Sequence, residues 1–204
     1  MRAEDTYNTI TGYTEGYLRE KGSKFHSYAW HVETEEEIKE IVDEMRKKFY
    51  DATQRCYAWR LGPKGEKFRA NDDGEPSGTA GKPILGQLLS RDLTYTMVMV
   101  VRYFGGTKLG VPGLIAAYKD SAAEVLDNCN IVMKTENAVY DINFGYLVMN
   151  DIMKVIKEFS PEIIEQAFDN ECLMSVSIRK SLEEQMVLKF KDIEGINIEF
   201  KGYK

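Results

Sequence analysis

The sequence predicts an α+β protein of two domains, residues 1–133 and 134–204. Three observations predict this class. A helix with a clear N-terminal signature follows two short strands, a strongly apolar strand lies in the middle of the chain, and the last 70 or so residues alternate as β-α-β-β-α-β. A composition of 43% hydrophobic and 29% charged residues over 204 positions is that of an ordinary globular protein.

The first domain opens with two predicted strands, Thr14–Glu20 and Phe25–Val32, on either side of a turn-like Lys-Gly-Ser. A helix should follow, because Thr34 and Glu37 have the spacing of a capping box and apolar residues then recur at helical spacing until about residue 50. Cys56–Leu61 is predicted as a strand that ends at a Gly-Pro-Lys-Gly turn.

The middle of the chain carries the strongest strand signal. Leu93–Phe104 is rich in β-branched and aromatic residues and contains a continuous apolar run, which is typical of a strand buried on both faces. A short helix is predicted from Pro83 to Ser90. A longer helix should begin at Gly113, and its small apolar face should pack closely against a sheet.

The second domain has the element order of a ferredoxin-like fold. It is acidic, with nine basic against thirteen acidic residues from Ile131 onward, so it is a poor candidate for binding RNA alone. Its predicted strands are Ala138–Phe144, Ile163–Phe168, Cys172–Ile178 and Ile196–Phe200, and its predicted helices are Asp151–Phe159 and Leu182–Phe190.

Charge and cysteine content narrow the function classes. The chain carries a net charge of −6, yet the stretch from Thr53 to Gly110 holds nine basic and five acidic residues, so a local positive face is expected. The three cysteines, Cys56, Cys129 and Cys172, form no CxxC pair, and no apolar run approaches the length of a membrane span. We therefore expect a cytoplasmic, reduced protein that binds no zinc and no membrane.

Two glycine-rich segments, Asp72–Pro83 and Arg102–Gly110, mix glycines, hydroxyls and a lysine. The second follows a strand and precedes a helix, where backbone N–H groups can face an anion such as a phosphate or RNA backbone. Neither segment has the Walker or dinucleotide spacing, and the alternative is that the glycines only make a tight turn. The candidate anion or RNA ligands are Arg55, Ser77, Thr79, Lys82, Arg102, Gly105, Gly106, Thr107 and Lys108.

Three acids in the first segment, Asp72, Asp73 and Glu75, form a candidate Mg²⁺ site, since this ion favours carboxylate oxygens. Acids in a turn-prone stretch are also often solvated or capping groups. A further alternative is that they pair with the arginines of the second segment. Ser77 or Thr79 could also cap the helix that Pro83 opens.

Two further sets of residues have both a functional and a structural interpretation: a cysteine that could be a nucleophile, and aromatic residues that could stack on nucleic acid. Cys56, beside Arg55, is a candidate nucleophile, but no histidine has a suitable spacing, and a small buried strand residue is the alternative. No catalytic residue is assigned. Four aromatic residues near basic ones could stack on single-stranded nucleic acid or belong to the core: Tyr57, Trp59, Tyr103 and Phe104.

The motifs DDGEPSGTAGKP and VVRYFGGTKLG, together with Phe25 and the Ala52–Ala58 stretch, resemble the YigZ/IMPACT family over about the first 130 residues. The resemblance implies a first domain like the second domain of small-subunit ribosomal protein five. It also implies an appended ferredoxin-like domain, as in bacterial members. Two departures stand out: Gln54-Arg55 replaces a pair of histidines, and Pro112 removes one N–H donor from the second loop.

Eukaryotic relatives in this family regulate translation by interfering with activation of an amino-acid-starvation kinase through its ribosome-associated activator. The resemblance therefore implies a translation-linked regulatory binding protein that contacts RNA, the ribosome or a ribosome-bound factor. The alternative is an enzyme or sensor for a small phosphorylated ligand, with Mg²⁺ as its only candidate cofactor. A third class is an adaptor that binds only protein.

Overall fold

The computed structural model describes residues 5–169 and 171–204. These residues group into two compact units: an N-terminal unit, Tyr7–Lys134, and a C-terminal unit, Thr135–Lys204 together with Asp5 and Thr6. Helices and strands are mixed in both units, with five α-helices and eleven strands in the described part of the chain. The predicted α+β class is confirmed.

The N-terminal unit is built on a five-stranded antiparallel sheet with the order β2-β3-β6-β4-β5, and strands β1 and β7 form a separate two-stranded sheet. The strands are β1 (Thr6–Ile10), β2 (Tyr13–Glu20), β3 (Ser23–His31), β4 (Gln54–Leu61), β5 (Lys67–Asn71), β6 (Thr96–Tyr103) and β7 (Ile131–Thr135). The helices are α1 (Glu35–Lys48), α2 (Gly81–Ser90) and α3 (Gly110–Asp127).

Helix α1 begins where the sequence predicts. The Thr34 side chain accepts a hydrogen bond from the Glu37 backbone N–H at 3.1 Å, while the Glu37 carboxylate reaches back to the N–H of Glu33 at 2.9 Å. Three acidic residues in the first turn and three basic residues in the last turn complement the helix dipole. The cap and the dipole together define both ends of this helix.

Both faces of the five-stranded sheet are covered. Helix α1 packs on one face, where Met97, Met99 and Val101 of β6 join its core cluster. Helices α2 and α3 pack on the other face, which receives Val98 and Val100 of the same strand. Strand β6 is therefore buried on both sides, as its continuous apolar run predicts.

In the N-terminal unit two helices start earlier than the sequence predicts, and strands β1, β5 and β7 are absent from the prediction. Helix α2 starts two residues before Pro83. Helix α3 starts at Gly110 and has Pro112 in its first turn, where backbone N–H groups have no partner within the helix, so that the missing N–H of proline costs no hydrogen bond. Strand β5 was not predicted. It is a short edge strand, and of its five residues only Phe68 belongs to the types that favour strands, so its brief alternation gives a weak signal.

The C-terminal unit has the predicted ferredoxin-like order. Its four strands are antiparallel in the order β11-β8-β10-β9, and its two helices bury their apolar faces against one side of that sheet. Within the described residues, no helix has the length and apolarity that crossing a membrane requires. The elements are β8 (Asn137–Phe144), α4 (Met149–Phe159), β9 (Glu162–Phe168), β10 (Cys172–Arg179), α5 (Lys180–Lys191) and β11 (Ile196–Tyr203).

Candidate anion and nucleic-acid site

The two glycine-rich segments meet through one buried carboxylate. Glu75 of the first segment accepts a hydrogen bond from Arg102 Nη1 at 2.5 Å and from the Tyr118 hydroxyl at 2.9 Å on the same oxygen, Oε1. The Glu75 and Arg102 side chains are only 5% and 7% exposed. The geometry therefore contradicts Arg102 as an anion ligand, because its charge is used inside the protein to neutralise Glu75.

Asp72 organises the first segment by accepting backbone hydrogen bonds. Its carboxylate binds the N–H groups of Gly78 and Gly81 at 2.8 Å and that of Ala80 at 3.1 Å. Burial alone would raise the pKa of Asp72, but these three donors hold the pKa below its ordinary value. Asp72 thus takes the capping role at the start of α2, for which Ser77 or Thr79 was one of the alternatives.

Asp73 and Arg55 form a second internal pair. The Asp73 Oδ2 atom accepts from the Arg55 backbone N–H at 2.8 Å and lies 3.4 Å from its Nε. Arg55 also donates from Nη1 to the backbone oxygens of Phe49 and Ala52. Since its side chain is only 19% exposed and its Nη1 is used inside the protein, Arg55 is poorly placed to bind an external anion.

The carboxylates of Asp72, Asp73 and Glu75, the candidate Mg²⁺ ligands, are not arranged around a common point where an ion could bind. The three carboxylates face backbone amides, Arg55 and Arg102 respectively, rather than a common point. Across residues 5–169 and 171–204, no group of three His, Cys, Asp or Glu side chains is arranged to hold a metal ion. Only Glu75 matches the alternative of pairing with an arginine of the second segment, since Asp72 binds backbone amides and Asp73 binds Arg55.

Cys56 lies in the interior of this network. Its thiol donates to the Asp72 carbonyl oxygen at 3.0 Å and lies 3.4 Å from the Tyr118 hydroxyl. Burial raises the pKa of the Cys56 thiol far above its usual range, and the nearby carboxylates act in the same direction. A thiol held protonated is a weak nucleophile, so the environment favours the structural interpretation of Cys56.

Among the remaining first-segment candidates, Thr79 is buried and its hydroxyl donates to the Pro76 carbonyl oxygen at 2.7 Å. This internal bond leaves the hydroxyl committed to the turn that precedes α2. Ser77 and Lys82 are exposed to solvent. They remain predicted ligands on the surface of the first segment.

The second segment presents its loop to solvent, since Gly105, Gly106, Thr107 and Lys108 are all exposed. Gly105 lies directly against the turn between β2 and β3: a Cβ at this position would be 1.9 Å from the carbonyl carbon of Gly22. The Gly105 N–H also donates to the Ser23 hydroxyl at 3.1 Å. Only glycine permits this approach, which brings the loop and the β2–β3 hairpin to one end of the sheet.

The hairpin and the loop border a cleft of about 440 Å³. Tyr103 and Phe104, two of the predicted stacking residues, line it. Tyr57 and Trp59 are buried under α1, which matches the alternative that they belong to the core. The six lining residues are Gly22, Lys24, His26, Phe49, Tyr103 and Phe104.

His26 is the functional candidate that the sequence prediction missed. It lies on the cleft face of β3 and pairs with Tyr17 on the neighbouring strand. Burial and then the positive charge of Lys24 lower the pKa of His26 below its usual 6.5, so the ring is neutral at pH 7. The alternation along β3 placed His26 and Lys24 on one face, but the sequence did not show that a cleft lies above them.

Comparison with known proteins identifies relatives of this chain. The Impact N-terminal domain model matches residues 21–126. The IMPACT family member YvyE of Bacillus subtilis is 36% identical over 153 residues, which cover 75% of this chain and 70% of YvyE.

Two solved structures are also similar. A crystal structure of a hypothetical protein superposes with a TM-score of 0.70 at 27% identity, covering 95% of this chain and 96% of that one. A structure described as the two-domain translational regulator Yih1 matches 58% of this chain and 47% of its own, with 27% identity and a TM-score of 0.39. The first of these similarities extends over both units.

Proposed function

The chain belongs to the IMPACT family, and from that premise we propose that it is a translation-linked regulatory binding protein. It contacts RNA, the ribosome or a ribosome-bound factor through the end of the sheet that carries the second glycine-rich loop. The single observation that supports this surface most strongly is the exposed run Gly105–Lys108 packed against the β2–β3 hairpin.

The charge distribution supports the proposal. Lys21 and Lys24 of the hairpin and Lys108 of the loop are exposed at the same end of the sheet, where Gly22 and Gly105 touch. A chain with a net charge of −6 can attract a polyanion only through such a local positive surface. The acidic remainder of the protein restricts the contact to this end.

The internal use of the reactive groups favours binding over catalysis. The buried thiol of Cys56 is held protonated, and the carboxylates of Asp72 and Glu75 accept strong internal hydrogen bonds. Each of these groups supports the fold of the loops that carry the proposed surface. On this view the chemistry-bearing residues shape the loops, and the exposed lysines make the contact.

A ribosome and RNA pull-down across a salt series tests the proposal. The informative variant is Lys24→Ala/Lys108→Ala, since both side chains are exposed and their loss should leave the fold intact. A matched control is Lys39→Ala/Lys47→Ala on the exposed side of α1, which removes the same charge elsewhere in the unit.

Binding that falls with salt, and that the Lys24/Lys108 variant loses while the control keeps it, is the expected result. Each lost phosphate contact should reduce the slope of log affinity against log salt by roughly 0.7 to 0.9. Absence of ribosome and RNA binding at low salt would overturn this form of the proposal. A saturable 1:1 complex with a small phosphorylated compound would then favour the sensor or enzyme alternative.

A further inference from the structure

We infer that the cleft beside the second glycine-rich loop takes an unpaired base of single-stranded RNA, stacked on its aromatic wall. This inference rests on the proposed function, because it names the class of partner for the same end of the sheet. Positive charge alone would attract any RNA, whereas this cleft requires a base that is not stacked within a helix.

The first support is a row of rings across three neighbouring strands. The ring centroids of Tyr17 on β2 and His26 on β3 are 5.0 Å apart, and those of His26 and Tyr103 on β6 are 6.0 Å apart. Tyr17 remains 49% exposed, so this end of the row faces solvent. His26 and Tyr103 are half-buried, and rings that lie side by side on a sheet with part of their surface open are the kind on which single-stranded bases stack.

The second support is the placement of Phe104 at the cleft. Its ring is 47% exposed, and the buried guanidinium of Arg102 lies 5.6 Å from the ring centroid. Arg102 is itself held by Glu75, so the cation beneath the ring occupies a defined position. Phe104 is therefore supported from within the protein while part of its ring stays open to a ligand.

The third support is the size and charge of the cleft. A volume of about 440 Å³ falls within the usual range of roughly 300–1,000 Å³ for small-ligand sites, and it suits one base with its ribose. Lys24 lines the cleft, and no carboxylate does so among the described lining residues. A lysine beside neutral rings complements a base attached to a phosphate backbone.

Duplex RNA does not satisfy these features, because its bases are stacked on one another and its ring faces are covered. The cleft therefore predicts a preference for single strands over duplexes of the same sequence. It also predicts a loss of affinity when the bases, but not the phosphates, are removed from the ligand.

The test is fluorescence anisotropy of the full chain with three labelled ligands of equal length: a uridine-rich single-stranded RNA, an RNA duplex, and a single strand with abasic positions. Phe104→Ala removes the open ring, and Tyr103→Ala removes a second ring of the cleft wall should the first variant fold poorly. Phe68→Ala is the matched control, because Phe68 is 61% exposed on β5 and lies outside the cleft.

We expect the single strand to bind most tightly, and Phe104→Ala or Tyr103→Ala to weaken its binding by roughly 5- to 150-fold, the usual effect of removing one stacking ring. Phe68→Ala should leave the affinity unchanged. Equal binding of all three ligands, unaffected by the ring variants but lost in Lys24→Ala/Lys108→Ala, overturns the stacking inference and preserves the proposed function. Failure of all three ligands to bind overturns the inference, and the ribosome pull-down then decides the proposed function separately.

Discussion

Replacing Glu75 by leucine should destabilise the N-terminal unit strongly. The substitution keeps a side chain of similar volume but leaves the Arg102 guanidinium, only 7% exposed, without its carboxylate. Removing one partner of a buried ion pair costs about 3–5 kcal/mol, since an uncompensated charge remains in the interior. The upper part of this range applies here, because Tyr118 also loses the acceptor that it contacts at 2.9 Å.

Urea unfolding followed by tryptophan fluorescence measures this effect in the right unit. The chain has two tryptophans, Trp30 and Trp59, and both lie in the N-terminal unit. With a denaturant dependence of about 2 kcal/mol per molar urea, a loss of about 4–5 kcal/mol lowers the unfolding midpoint by roughly 2–2.5 M. Circular dichroism on the same samples reports the helices and strands of both units together.

A double-mutant cycle separates the charge effect from altered packing. Arg102→Met alone should also be costly, because it leaves the Glu75 carboxylate buried. Glu75→Leu/Arg102→Met removes both charges and should be markedly more stable than the sum of the two single effects predicts. Additive single and double effects would refute the argument that the two side chains neutralise one another.

Three further predictions follow from other contacts. Asp72→Ala should lower the free energy of unfolding of the N-terminal unit by about 1–3 kcal/mol, since three backbone N–H groups lose their acceptor; an unchanged urea midpoint would contradict this. Gly105→Ala should be at least as disruptive, because the new Cβ would meet the backbone of Gly22 at 1.9 Å, and soluble, fully stable protein would exclude that close approach. The hydrogen bond from Arg179 holds the pKa of Asp5 well below its ordinary value, so this carboxylate stabilises the C-terminal unit above about pH 4, and the stabilisation is lost as the pH falls further. Asp5→Asn should therefore weaken the C-terminal unit most at pH 7, and its effect should shrink steadily as the pH falls below 4, as followed by circular dichroism in urea; an effect that stays the same from pH 7 to pH 2 would contradict this assignment.

Features that depend on neighbouring residues in the chain were predicted correctly from the sequence. The capping box at Thr34, the doubly buried strand β6 and the ferredoxin-like order were all predictable, because each depends on residues close together in the chain. The edge strand β5 was missed, since it is only five residues long and just one of them, Phe68, favours strands.

The sequence did not predict which charged side chains are exposed to solvent and which are buried. Arg102 and Lys108 stand six residues apart in one glycine-rich segment, and both were candidate anion ligands. Arg102 lies on a buried strand and meets Glu75, 27 residues earlier, whereas Lys108 lies in an exposed loop. Only the arrangement of the strands decides which lysine or arginine reaches solvent.

The sequence by itself therefore determined the secondary structure of most of the chain, the family, and the two glycine-rich segments that make an anionic partner worth testing. The tertiary structure alone decided that Asp72, Asp73 and Glu75 serve the fold, and that Tyr17, His26 and Tyr103 form one row of rings. The physical reason is the distance along the chain over which each interaction acts. Propensities and caps act over a few residues, whereas burial, ion pairing and cleft formation depend on groups that the sheet brings together from distant parts of the chain.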